Sequence, residues 1–196
     1  MTRETLVAVA PLWLEARALR RALPGVRIER AGMGPKRAQA TALRLASEPA
    51  PRALAVAGVC GALDPRLVPG DVVVASELRG NGAPVALESA KPLARALEAL
   101  GIQVHVGPIV SLATLAEGKN RAALAAGGAL AADMESAWLA PLAARSAFAV
   151  LRVVSDGPGH ELYRPSIVVN GIRALRALRA AAPALITWSQ SPEETH

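Results

Sequence analysis

The sequence predicts an α/β fold with a mostly parallel, helix-covered sheet. Apolar, β-branched runs alternate with Ala/Leu/Arg-rich stretches of helical period, the pattern of successive strand–helix units. Acids are scarce, 16 in 196 residues, yet three stand just past apolar runs: Glu15 after Thr5–Ala10, Glu135 in Ala-Ala-Asp-Met-Glu-Ser-Ala, and Asp156 closing Val-Leu-Arg-Val-Val-Ser-Asp. Acids so placed gather at one edge of a sheet, where open α/β folds bind ligands. Carboxylates there suit holding a sugar, protonating a leaving base or activating a water.

In chain order, Leu6–Ala10 reads as a strand and Leu14–Leu23 as a helix. Val26–Ala31 (strand) and Lys36–Ala46 (helix) repeat the unit, as do Ala53–Ala57 and Val72–Ser76 (strands) with Lys91–Leu100 (helix). Gln103–Val110 (strand) precedes Gly118–Ala126 (helix), and Ala129–Asp133 (strand) precedes Ser136–Ala144 (helix). Ala147–Val154 is the last strand and Pro165–Ala182 the last helix. In that helix Ile167, Val168, Ile172, Leu175 and Leu178 recur at three- and four-residue steps, the spacing of one buried face. Glycine-bearing loops are expected after three strands, at Gly32-Met33-Gly34, Gly58–Gly61 and Gly157–Gly159. Glycine permits positive φ and close approach of backbone to a ligand.

The length fits one domain, residues 1–187, with a polar tail at 188–196 expected to fray. Hydrophobic content is 52%, much of it Ala, and no stretch is long and apolar enough for a spanning helix. No signal peptide is legible. The single cysteine, Cys60, excludes an intramolecular disulfide and points to a reducing cytoplasm. Net charge is +6, but one Phe and one Tyr leave few platforms for stacking bases, so a nucleic-acid partner is not expected. The densest basic cluster, Arg173, Arg176 and Arg179, has helical spacing and fits a solvated face or an anion patch.

Several chemistries are excluded by spacing. Gly32-Met33-Gly34 lacks the third glycine of a dinucleotide fingerprint, where Arg37 stands, and no P-loop pattern occurs. His105, His160 and His196 do not fall at metal-ligand spacings with Cys or acids. His105 reads as a core or edge residue, whereas His160, just after Asp156, is placed to touch a ligand. Cys60 has no paired histidine and reads as a small buried residue. Neither a metal nor a cofactor is expected.

Four segments together resemble the purine nucleoside phosphorylase / methylthioadenosine–adenosylhomocysteine nucleosidase superfamily. They are Ala31–Gly34, Ala57–Asp64 followed by Val68–Val74, Ala132–Ala137, and Leu151–Asp156, in the family's order. The resemblance implies a three-layer α/β/α fold with a mixed, partly barrel-like central sheet. It implies chemistry at the N-glycosidic bond of a purine nucleoside. Met134 and Glu135 match the ribose-binding pair, Asp156 the acid that protonates the purine, Ser155 its orienting neighbour, and Arg152 the cation holding water and nearby acids. Gly34, Gly58, Val59 and Ser111 fall on segments that line the substrate. Family members are commonly homo-oligomers, and the same is expected here.

The first loop separates hydrolysis from phosphorolysis. Phosphorylases of the superfamily carry a Gly-Asp-Pro-x-Arg-like segment there, and nucleosidases a Glu. This chain has Pro11-Leu12-Trp13-Leu14-Glu15-Ala16-Arg17, with Glu15 where the nucleosidase base belongs. A carboxylate at the nucleophile site repels phosphate by about 4 kcal/mol at 4 Å and an effective dielectric of 20. Arg17 keeps phosphorolysis open, although helical geometry turns it away from Glu15. Val59 stands where the family often has Ser or Thr, and Leu112–Leu115 is aliphatic where well-studied nucleosidases place an aromatic. The short Glu77–Lys91 segment opens the substrate side, a pattern similar to the hopanoid-associated adenosylhopane nucleosidase branch; futalosine hydrolase and methylthioadenosine nucleosidase compete with it. A protein that binds a nucleoside without cleaving it is also compatible with these departures.

Overall fold

The computed structural model describes residues 4–80, 82–114, 118–157 and 167–191. Eight strands share one mixed sheet: β1 (Leu6–Ala10), β2 (Arg27–Arg30), β3 (Ala53–Ala62), β4 (Val72–Arg79), β5 (Val85–Ala86), β6 (Val104–Ser111), β7 (Ala131–Asp133) and β8 (Ala147–Asp156). The described helices are α1 (Trp13–Ala22), α2 (Pro35–Ala46), α3 (Ala90–Glu98), α4 (Gly118–Ala126), α5 (Ser136–Leu139), α6 (Ile167–Ala181) and α7 (Pro183–Gln190). A 3-10 turn, Ala140–Ala144, extends α5.

Five strands close on themselves. β3 pairs with β8 in parallel, β8 with β4 antiparallel, β4 with β6 and β6 with β7 in parallel, and β7 returns antiparallel to β3. The result is a small barrel, with β1 and β2 extending it as parallel strands beyond β3 and β5 flanking β4. Closure removes most open edges. On the edge strand β2, Arg27 and Glu29 carry ion pairs to Glu4, Glu48 and Arg44, a charged border of the kind that blunts edge pairing.

Strand alternation divides the core into two layers. From β3, Ala53, Ala55 and Ala57 pack toward α1, α3, α6 and α7, while Leu54, Val56 and Cys60 pack toward α2 and α5. Alanine on the first side lets the helices sit close to the barrel. The three-layer arrangement with a partly closed sheet matches the expected architecture.

Four details differ from the sequence reading. Gly58–Gly61 is strand, not loop, because β8 and β7 supply backbone partners on both sides of β3. β5 and α7 were not foreseen: one is two residues long, and the other follows α6 after a single residue. The chain stays packed beyond residue 187, since Trp188 and Ser189 are buried within α7; the expected tail therefore starts later than Trp188. On α6 the buried face is Asn170, Ala174, Leu178 and Ala181, whereas Val168 and Ile172 point to solvent. Ala174, Leu178 and Ala181 pack into the core, while Val168 and Ile172 occupy the opposite side.

Candidate active site

Residues from α1, β3, β7, α5 and β8 meet at one end of the barrel. Arg152 is the centre of the cluster. It lies in the middle of β8, fully buried, directly beside Gly58 of β3. Its Nη2 is 2.7 Å from Asp133 Oδ2 and 3.6 Å from Glu135 Oε2, and donates to Ser136 Oγ at 2.9 Å. Its Nη1 points at the Val59 carbonyl, 3.4 Å away. Burial alone would make this guanidinium easier to deprotonate. Asp133, Glu135 and Glu15 outweigh that and hold its pKa above the ordinary arginine value. An always-charged planar cation is the residue for such a place.

Glu15, in the first turn of α1, is buried. Its Oε1 accepts the Val59 N–H at 2.7 Å and its Oε2 accepts the Leu12 N–H at 2.5 Å. Val59 thus contributes through its main chain, which explains how a side chain without a hydrogen-bonding group is compatible with this position. Burial pushes the Glu15 carboxyl pKa up, against the lowering influence of Arg152 and the two N–H donors. Gly58 makes the approach possible: a Cβ there would sit 2.7 Å from Glu15 Oε1 and 2.8 Å from Arg152 Nη1.

Glu135 caps the start of α5 and receives the Gly34 N–H on Oε1 at 2.9 Å. Gly34 has φ of 90°, which lets the loop before α2 turn its N–H inward. Burial raises the Glu135 pKa, Arg152 lowers it, and Asp133 raises it further. Met134 is half-buried beside it, and its N–H also acts on the Glu135 carboxylate. Ser111 is buried with its hydroxyl committed: it donates to Asp133 Oδ1 at 2.5 Å and accepts the Ala137 N–H at 2.8 Å. That hydroxyl braces Asp133.

Asp156 ends β8 three β3 positions along, next to Gly61. Ser155 Oγ lies 3.1 Å from Asp156 Oδ1 and 3.2 Å from the Cys60 carbonyl. Arg121 of α4 donates to Asp156 Oδ2 at 2.8 Å. The Cys60 thiol, pushed up by burial, feels Arg152, Asp133, Asp156 and Glu15 together, so these groups surround one segment of β3. Its high pKa makes Cys60 inert.

The fold therefore brings Glu15, Glu135, Arg152, Ser155 and Asp156 to one end of the barrel. Sequence reasoning missed Asp133, Ser136 and Arg121. Asp133 had a signal: an arginine inside an apolar strand demands a buried carboxylate partner, and Asp133 stands two residues before Glu135. Arg121 had none, since its helix carries no motif. His160 and Gly159 lie outside the described residues, as do 115–117. His105 is half-exposed, its Nε2 3.8 Å from Asp71 Oδ2. Among the described residues no His/Cys/Asp/Glu group could hold a metal ion, and no helix is long and apolar enough to cross a membrane.

Among curated proteins, none matched the sequence. Solved structures do match in fold. A 5′-methylthioadenosine/S-adenosyl homocysteine nucleosidase from Campylobacter jejuni superposes with a TM-score of 0.80 at 15% identity, covering 95% of this chain and 98% of that one. The Helicobacter pylori nucleosidase with 5′-methylthioadenosine in its active site gives 0.78 at 14% identity, over 96% and 98%. The futalosine hydrolase of Helicobacter pylori gives 0.75 at 17% identity, over 93% and 96%. A sequence profile of the phosphorylase superfamily matches residues 24–186. With most of its length inside that match and the barrel in place, the chain belongs to the phosphorylase superfamily.

Proposed function

We propose that the protein is a nucleosidase that hydrolyses the N-glycosidic bond of a 5′-substituted, adenosine-type nucleoside and releases the purine. The observation that carries this reading is Glu15: a buried carboxylate with a raised pKa, held by two main-chain N–H groups and facing Arg152. Glu15 takes a proton from a water beneath the anomeric carbon. Glu135, fixed by Gly34, accepts the ribose hydroxyls and stabilises positive charge developing on the sugar. Asp156, oriented by Ser155, protonates the departing base. Arg152 favours the charged forms of Glu15 and Glu135 against the effect of burial, without itself exchanging a proton. Arg17 lies on the exposed side of α1, stacked on Trp13 at 5.3 Å, and so does not offer phosphate a partner beside Glu15.

The test is a panel of adenosine derivatives incubated with and without phosphate, with free base and sugar products separated by chromatography. Hydrolysis gives base and free sugar at a rate indifferent to phosphate. Ribose 1-phosphate formed only with phosphate establishes phosphorolysis instead. A rise in melting temperature with nucleosides but no turnover establishes a binding protein.

Gly58→Ala supplies a geometric check. The added methyl must displace the Glu15 or Arg152 head group, both confined by burial. A misplacement near 1 Å costs on the order of 10²-fold in rate. The variant is expected to keep its circular dichroism spectrum and lose base release by about that factor.

A further inference from the structure

Val168 and Ile172 of α6, expected on its buried face, are open to solvent, and α6 packs beside α1. Leu14, Arg17, Ala18 and Arg21 of α1 and Ile172, Leu175, Arg176 and Arg179 of α6 line one groove of about 260 Å³. Each set follows the i, i+3, i+4, i+7 spacing of a single helix face. The groove runs on into a second hollow bounded by Ala22, Arg179 and Pro183. Ala22 at the end of α1 lines that hollow with Arg179 near the end of α6 and Pro183 just past it, so the two packed helices run side by side in the same direction.

The chemistry of this face is graded. At the N-terminal end Trp13 is 52% exposed, Val168 66% and Val169 61%, joined by Leu12, Leu14 and Ile172. Arg17 stacks on Trp13 at 5.3 Å, and farther along stand Arg21, Arg176 and Arg179; among the described residues no carboxylate pairs with any of the four. A contiguous apolar tip beside unpaired cations is uncommon on a free surface. A nucleic acid would use the cations but leave the aliphatic tip in water, and Trp13 alone offers little stacking. An anionic bilayer satisfies both ends: the apolar side chains enter the headgroup–acyl boundary while the arginines meet lipid phosphates.

We propose that this α1–α6 face docks the protein, reversibly and without a spanning segment, onto the surface of a membrane containing anionic phospholipid. Glu15 lies in the first turn of α1, so the docked end is also the end that carries the candidate active site. The inference is independent of the chemistry performed there.

Vesicle co-sedimentation tests it with the full chain. Binding is expected to vesicles of phosphatidylcholine mixed with phosphatidylglycerol, to be weak to phosphatidylcholine alone, and to fall as salt is raised. Trp138 and Trp188 are buried, so a blue shift of tryptophan emission on anionic vesicles reports Trp13 entering lipid. Arg176→Glu with Arg179→Glu should weaken partitioning at least about 25-fold, since each neutralised cation near an anionic surface is worth about fivefold. Lys91→Glu with Arg30→Glu makes the same change in net charge elsewhere and should lose far less. Circular dichroism checks that both variants fold. The proposal is overturned by absence of binding to anionic vesicles at low salt, or by equal loss in the two double variants. Binding to heparin or an oligonucleotide with the same arginine dependence but no emission shift on vesicles would assign the face to a soluble polyanion. A dimer in sedimentation velocity that Ile172→Glu dissociates, with no lipid binding, would assign it to a second copy of the chain.

Discussion

A Glu15→Gln variant should release base about 10²–10⁴-fold more slowly than the parent chain, the usual contribution of a positioned acid–base group. It should also keep a melting temperature close to the parent's. The second outcome follows from the sign of the pKa shift. A carboxyl whose folded-state pKa is raised binds its proton more tightly when folded than when unfolded. Stability contributed by that group is therefore present at low pH and declines as pH rises from the unfolded value through the folded one. At neutral pH the buried charge is a net cost that glutamine removes, and this gain is offset by one main-chain N–H, of Val59 or Leu12, that the amide cannot accept. Arg152 retains Asp133 and Glu135 as partners in the variant. Activity lost together with a melting temperature lowered by many degrees would mean that Glu15 is structural. In the parent, kcat/KM should fall on the acid side with an apparent pKa above that of an ordinary carboxylate. Glu15 and Glu135 sit on one arginine and are both raised, so that limb belongs to the pair.

Arg152→Met should destabilise the protein by about 3–5 kcal/mol, the cost of leaving a buried charge without its partner. Three carboxylates depend on this guanidinium, and none has another cation among the contacts described here. Urea unfolding at neutral pH measures the loss. Lower pH should recover part of it, because Glu15 and Glu135 can then be protonated and their repulsion with Asp133 relieved. Arg152→Lys keeps the charge but cannot contact Asp133, Ser136 and the Val59 carbonyl at once, and should fall between the two. A neutral effect of Arg152→Met at pH 7 would show that the cluster is solvated and would remove the electrostatic basis for the raised Glu15.

How far the sequence could be read depended on the range of the interaction involved. Strand positions such as Leu6–Ala10 came out to the residue because a local apolar run is itself the signal. Glu15, Glu135 and Asp156 stood out because each lies at or just past a strand end and sits in a recurring motif. Val59 was read by its side chain, whereas its role runs through its N–H, which no residue identity encodes. On α6 the apolar spacing was right for Leu178 but not for Val168 and Ile172, which face solvent while Ala174 and Ala181 take the core positions.

The sequence alone determined the α/β class and the order of nearly all elements, and it singled out Glu15, Glu135 and Asp156, because these depend on local pattern and residue type. Only the tertiary structure decided that Asp133, Glu15 and Glu135 share one buried arginine, that Arg121 reaches Asp156, and that Gly58 must lack a side chain. Those facts rest on distances between segments scattered along the chain, and closure of the barrel is what sets them.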